Sequence, residues 1–241
     1  MRAYSATDVG QKREVNQDYV YCNENPVGAL PNLLIVADGM GGHNAGDFAS
    51  RFCVEGLVSA IQNSSEKTVI GLIENAINDT NEKLILQSRQ QSDLEGMGTT
   101  LVVATILEHI MYVANIGDSR LYLINDEIKQ ITVDHSLVEE MVKTGELKKE
   151  EARFHPKKNI ITRAVGANGK VTADFFEVGV KEDDIILLCS DGLTNMVDDS
   201  EIFNIVQQNK DNLDVAVQQL INKANECGGK DNIAIVLASD I

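Results

Sequence analysis

Four times in this sequence an aspartate stands at the end of an apolar run. Leu33-Leu34-Ile35-Val36-Ala37 leads into Asp38-Gly39-Met40-Gly41-Gly42-His43, and Ile185-Ile186-Leu187-Leu188-Cys189 leads through Ser190 into Asp191-Gly192. Met111 to Ile116 leads into Gly117-Asp118-Ser119-Arg120, and in reversed order Gly229-Lys230-Asp231-Asn232 precedes Ile233-Ala234-Ile235-Val236-Leu237. One Asp-Gly is an ordinary turn dipeptide. Repetition makes it a chemical signal, because core strands would carry carboxylates to their ends while neighbouring glycines let the backbone approach a ligand.

If the strands bearing Asp38, Asp191 and Asp231 are neighbours, their carboxylates meet at one sheet edge. Like charges within ~4–6 Å raise one another's pKa, and desolvation is costly unless a cation compensates. Oxygen ligands suit Mg²⁺ or Mn²⁺ better than zinc, and the Gly39 carbonyl is available as a further ligand. Two such ions ~3.5–4 Å apart would lower the pKa of a bridging water and aim it at an electrophile. Upstream, Arg13 and Asp18 lie in the polar loop Gln11 to Asp18; they read equally as loop charges or as a phosphate-binding guanidinium and the holder of a metal-bound water. A phosphate ester is the substrate this set fits, attacked directly by hydroxide without a covalent phosphoenzyme. No cysteine stands in a Cys-x₅-Arg context. His43 could protonate the leaving alkoxide or be a surface turn histidine.

The elements that must position these groups follow from periodicity. Arg2 to Thr7, Tyr19 to Cys22 and the run ending at Asp38 read as strands. Asn44 to Asn63, with Asn44 as N-cap, and Glu66 to Gln91 read as helices with apolar stripes. Leu101 to Leu107, Ile110 to Ile116, Ser119 to Ile124 and Ile128 to Ile131 are strands joined by short turns, which pair antiparallel. Residues 135–165 carry many charges, few apolar anchors and Pro156, and read as a flap inserted in the domain, with His135 ordering its entry. Strands near Ala173 to Val178 and Asp184 to Cys189 follow, then helices opening near Asp198 and at Leu213, the second stopped by Gly228, and a last strand from Ile233 to Ala238. Strand blocks between helix pairs indicate an α+β fold of antiparallel sheets between helical layers.

With 241 residues, 43% of them hydrophobic, and no break in composition, the chain is expected to form one domain, residues 1–241. A formal net charge of −16 argues against nucleic acid and anionic membranes as partners. Cys22, Cys53, Cys189 and Cys227 form no Cys-x-x-Cys pair and read as reduced residues of a cytoplasmic protein. No apolar run approaches the ~20 residues that span a bilayer.

Arg13-Glu14-Val15-Asn16-Gln17-Asp18, Ala37 to His43, Gly98-Thr99-Thr100, Ala114 to Arg120, Asp134-His135-Ser136, Ile161 to Gly166, Ser190-Asp191-Gly192-Leu193 and Gly229 to Asn232 occur in an order that resembles the bacterial metal-dependent protein phosphatases of type 2C, over essentially the whole chain. The resemblance implies a four-layer α-β-β-α sandwich, two antiparallel sheets flanked by helix pairs, and hydrolysis of phosphoserine and phosphothreonine in proteins phosphorylated by a cognate Ser/Thr kinase. It implies that Asp38 bridges two Mg²⁺ or Mn²⁺ ions, and that the Gly39 carbonyl and Asp18, through water, serve one while Asp191 and Asp231 serve the other. By the same resemblance Asp118 with Asp191 forms a third, weaker site, Arg13 holds phosphate and Asn232 orients Asp231. Eukaryotic relatives place a histidine directly after the Asp-Gly pair; here that position is Met40, as in the bacterial branch, so His43 is the general-acid candidate. A monomer is expected. A catalytically silent regulator on the same fold and a hydrolase of small phosphate esters are the competing readings.

Overall fold

The computed structural model describes residues 1–42, 45–167 and 169–241. The chain opens with β1 (Arg2–Asp8), β2 (Asp18–Asn23) and β3 (Leu33–Met40), followed by the helices α1 (Ala45–Gln62) and α2 (Val69–Gln90). Five strands come next: β4 (Gly98–Thr99), β5 (Leu101–Leu107), β6 (Ile110–Ile116), β7 (Arg120–Ile124) and β8 (Ile128–Gln130). Short helices α3 (Leu137–Lys143) and α4 (Lys149–Ala152) precede β9 (Asp174–Gly179) and β10 (Ile185–Cys189). The chain then runs through α5 (Asp191–Thr194), α6 (Asp199–Gln208) and α7 (Leu213–Glu226) into β11 (Ile233–Ser239).

Two antiparallel sheets result, one ordered β1-β11-β10-β7-β8 and the other β2-β3-β5-β6-β9, with β4 paired to β3. Alternation along β3 shows why its sequence is apolar without interruption. Leu34 and Val36 face the core between the sheets with Val102, Leu121, Leu188 and Val236, whereas Leu33, Ile35 and Ala37 face the core under α1 and α2. A third core joins β10 and β11 to α6 and α7 through Leu187, Ile235, Val206 and Leu220. Both faces of each sheet are covered, giving the four-layer α-β-β-α sandwich expected from the sequence. Each fully buried Leu or Ile contributes about 1.5–3 kcal/mol relative to an exposed one.

The strand ends that matter are fixed by local bonds. β2 and β3 pair so that Asp18 stands opposite Asp38. α7 closes in a Schellman turn: the Gly229 N–H donates to the Ala224 carbonyl and the Gly228 N–H to the Asn225 carbonyl, both at 3.0 Å, with φ of +124° at Gly228 and +47° at Gly229. That turn delivers Asp231 to the mouth of β11. The acid-bearing strands are not all neighbours: β10 and β11 adjoin in one sheet, but β3 lies in the other. The acids therefore meet across the gap between two stacked sheets, which is open at that end.

Residues 135–165 bridge β8 and β9 over the same end. Between Glu139 and Arg163 no residue is buried. The base of the segment is tied by Thr162 N–H to the His135 carbonyl and Leu137 N–H to the Ile160 carbonyl, each at 2.8 Å. α4 has already ended at Ala152, so Pro156 is not what stops it.

Candidate active site: aspartates between two sheets

A cavity of about 230 Å³ opens where the two sheets end, and Arg13, Asp38, Gly39, Asp118, Asp191 and Asp231 stand on its wall with Asn159 and Ile161 from the 135–165 segment. Asp18 lies behind them, 5% exposed. The structure thus gathers every described residue singled out in the sequence as a ligand or phosphate holder. His43 and Asn44 lie outside the described residues.

Asp38 is locked by its backbone. Its N–H donates to Thr100 Oγ1, and its carbonyl accepts from Thr99 Oγ1 and the Thr100 N–H, all at 2.9 Å. Gly39 is required beside it, since a Cβ there would stand 2.0 Å from the Gly46 carbonyl oxygen at the start of α1. Asp18 reaches the opposite sheet: its Oδ2 accepts from Ser190 Oγ at 2.6 Å, and that hydroxyl accepts in turn from the Ala234 N–H at 2.8 Å. Asp191 opens α5, which puts Asn195 one helical turn on; Asn195 Nδ2 donates to Asp191 Oδ2 at 2.7 Å. Asp231 receives Arg13 Nη2 on Oδ2 at 2.8 Å and the Asn232 N–H on Oδ1 at 2.9 Å.

Asn232 acts differently from the sequence expectation in one respect. Its backbone N–H, not its side chain, touches Asp231. The side-chain amide donates to the Val9 and Val15 carbonyls and accepts from the Gln17 N–H, so it holds the loop that carries Arg13 and leads to Asp18.

Asp118 follows the turn at Gly117, where φ is +102°. That turn is gripped by His135, whose Nδ1 accepts from the Gly117 N–H and whose N–H donates to the Gly117 carbonyl. Nδ1 must be unprotonated there, so Nε2 carries the hydrogen toward Asp174 Oδ2 at 3.1 Å. Burial lowers the pKa of His135 accordingly. Arg120, two residues beyond Asp118, is clamped by Asp134 through three bonds of 2.7 to 3.1 Å.

Five carboxylates this close cannot all be charged without help. Burial first, then Asp18, Asp191, Asp118 and Asp231, hold the Asp38 carboxyl well above its usual range. Burial also lifts Asp18 to about 7, Asp118 to about 8 and Asp191 to about 6, with neighbouring aspartates adding to each. Asp18 Oδ1 and Asp191 Oδ1 are buried without a hydrogen-bond partner. Buried carboxylate oxygens without partners, in a cluster of aspartates that raise one another's pKa, are what hard divalent cations satisfy, so the donor set fits Mg²⁺ or Mn²⁺. Among the described residues no three His, Cys, Asp or Glu side chains already form a closed metal set. Ser190, Asn195 and Arg13 each occupy one oxygen of the aspartates they touch.

Sequence reasoning missed Ser190, Asn195 and Lys158, which bonds to Asn195. For Asn195 a signal existed: it lies four residues after Asp191, a spacing that becomes a contact once Asp191 is seen to start a helix.

The chain resembles known proteins along essentially its whole length. The family description Protein phosphatase 2C matches residues 9–238. The serine/threonine phosphatase stp of Listeria innocua is 44% identical over 98% of this chain and 95% of its own length. Among solved structures, the S. agalactiae serine/threonine phosphatase superposes with a TM-score of 0.92 at 38% identity, covering 100% of this chain and 99% of that one. The catalytic domain of the serine/threonine protein phosphatase PstP, solved in complex with two manganese ions, superposes with a TM-score of 0.84 at 33% identity over 99% of this chain and 97% of that one. The chain belongs to the protein phosphatase 2C family and is by class a serine/threonine protein phosphatase.

Proposed function

We propose that this phosphatase hydrolyses phosphoserine and phosphothreonine in proteins by direct attack of water, using Mg²⁺ or Mn²⁺ held by Asp18, Asp38, the Gly39 carbonyl, Asp191 and Asp231. The observation that carries this reading is the meeting of Asp38, Asp191 and Asp231 around one cavity, with Asp18 buried behind them and Asp18 Oδ1 and Asp191 Oδ1 unpartnered. The manganese in the PstP structure supports the same choice of ion. Bound there, two ions would neutralise the carboxylates and supply a water acidic enough to act as nucleophile near neutral pH. Asp118, with Asp191, would hold a third ion more weakly.

The rest belongs to the chain's own side chains. Arg13, half exposed and resting on Asp231, binds the phosphate dianion, for which a guanidinium fork is suited. Asn232 keeps the loop of Arg13 in register with Asp231. His43 donates the proton that the leaving serine or threonine oxygen needs. Residues 135–165 act as a flap over the cavity within a single domain, 1–241. The protein works as a cytoplasmic monomer against a Ser/Thr kinase, a setting with which four free cysteines agree. No helix among the described residues is long and apolar enough to cross a membrane.

A Mn²⁺ titration of phosphopeptide hydrolysis tests this. Asp38→Ala abolishes turnover, and Asp118→Ala shifts the activation curve to higher Mn²⁺. Equal activity in wild type and both variants would overturn the assignment.

A further inference from the structure

Lys158 belongs to the segment that crosses the site, yet it stands one amide away from Asp191. Its Nζ donates to Asn195 Oδ1 at 2.7 Å, and Asn195 Nδ2 donates to Asp191 Oδ2 at 2.7 Å. An ammonium offers only donors and a carboxylate only acceptors. Asn195 can satisfy both in one orientation alone; flipped, it would set N–H against ammonium and oxygen against carboxylate. With Oδ2 engaged, Asp191 keeps Oδ1 as its buried oxygen without a partner, on a residue that lines the cavity.

The same face of the segment makes a second tie. Arg153 pairs with Asp198, the N-cap of α6, just past Asn195, the C-cap of α5. Two cations of the segment thus grip the α5–α6 junction, and one of them fixes the amide that touches Asp191. Lys158 also flanks a larger cavity, about 720 Å³, which shares Asp118 and Asp191 with the first.

We propose that Lys158 is a positioning residue that acts through Asn195 to decide which oxygen Asp191 presents to a divalent cation, so that the 135–165 segment and the cation site are coupled. This rests on the metal reading above. Side chains that orient a metal ligand from outside typically change affinity by 10–100-fold when removed. Coupling is reciprocal, so a cation that gains from the Lys158 bond must also hold the segment down.

The test uses the full chain freed of metal. Mn²⁺ binding is measured by calorimetry, and amide hydrogen exchange is followed across residues 135–165 with and without Mn²⁺. Lys158→Met and Asn195→Leu are each expected to weaken Mn²⁺ binding by about tenfold, at the lower end of that range. The double variant is expected to bind no more weakly than Asn195→Leu, because both act along one chain of bonds. Lys158→Arg, which can still donate, should bind within about threefold of wild type, and Mn²⁺ should slow exchange in wild type but not in Lys158→Met. Unchanged melting temperatures establish that the variants fold. Wild-type affinity in Lys158→Met, or losses that multiply in the double variant, would overturn the proposal while leaving the metal reading intact. A wild-type chain that binds no Mn²⁺ would overturn both.

Discussion

Asp18 stands directly opposite Asp38 in the pairing of β2 with β3, which sets two buried carboxyls side by side in a field of like charges. Without a cation, one of them must be protonated or the pair must bear its repulsion. Folded-state pKa values raised above those of the unfolded chain mean that the native state binds more protons between about pH 4 and 8. Stability of the metal-free protein is therefore full below pH 4 as far as these groups are concerned, and falls as pH rises through 6 to 8. The cluster titrates as a unit. Thermal melts in chelator should show Tm declining from pH 5.5 to 8.5, and saturating Mn²⁺ should flatten the decline. A chelated protein whose Tm rises across that window would refute this account of the site.

Asp38→Asn removes an ionisable carboxyl from the centre of this group. We expect the metal-free variant to melt higher than wild type at pH 8, although its phosphatase activity is lost. Opposite movements of stability and function are the outcome expected of carboxylates arranged for a cation rather than for the fold. A parallel drop in Tm would show Asp38 to be a structural residue.

Arg13 rests on Asp231 through Nη2 and is half exposed, so its remaining donors face the cavity side where a phosphate would bind. Removal of a hydrogen bond to a charged group costs about 1.5–3 kcal/mol, equivalent to roughly a tenfold to hundredfold change. Arg13→Ala should raise KM for a phosphopeptide by at least about tenfold, with Arg13→Lys recovering part of it. An unchanged KM would remove Arg13 from the phosphate-binding role.

Gly192 offers a steric test. A Cβ at this position would lie 1.8 Å from the Asn232 carbonyl oxygen, so the strand end bearing Asp231 and the helix start bearing Asp191 could not keep their spacing. Gly192→Ala is expected to destabilise by about 1–3 kcal/mol, the range for overpacked sites. Its Mn²⁺ affinity should fall as well. A variant that melts and binds as wild type would show that this contact relaxes freely.

Much of the fold was legible because apolar periodicity carries it. The runs at 101–107 and 110–116 were read at the lengths they adopt, since each alternates between two covered faces. What escaped was the partnership of sheets. Strand neighbours depend on contacts far apart in sequence, such as β1 with β11, and no local pattern states that β3 belongs to a different sheet from β10. α5 escaped too: Asp191-Gly192 looks like the end of a strand and is also the first turn of a helix. Reading it only as a strand end hid Asn195, and with it the reach of Lys158. The acids themselves stood out because each interrupts a run that otherwise belongs to the core.

The strand order also has a consequence for how the protein comes into being. β11 lies between β1 and β10, with all seven of its residues buried, and it follows every other element in the sequence. A chain emerging from the ribosome can form the β2-β3-β5-β6 sheet with α1 and α2 early. It cannot join β1 to β10, or bring Asp231 to Asp191, until synthesis has passed Ile233. The two sheets can therefore stack around Asp191 and Asp231 only once the last strand of the sandwich has been made.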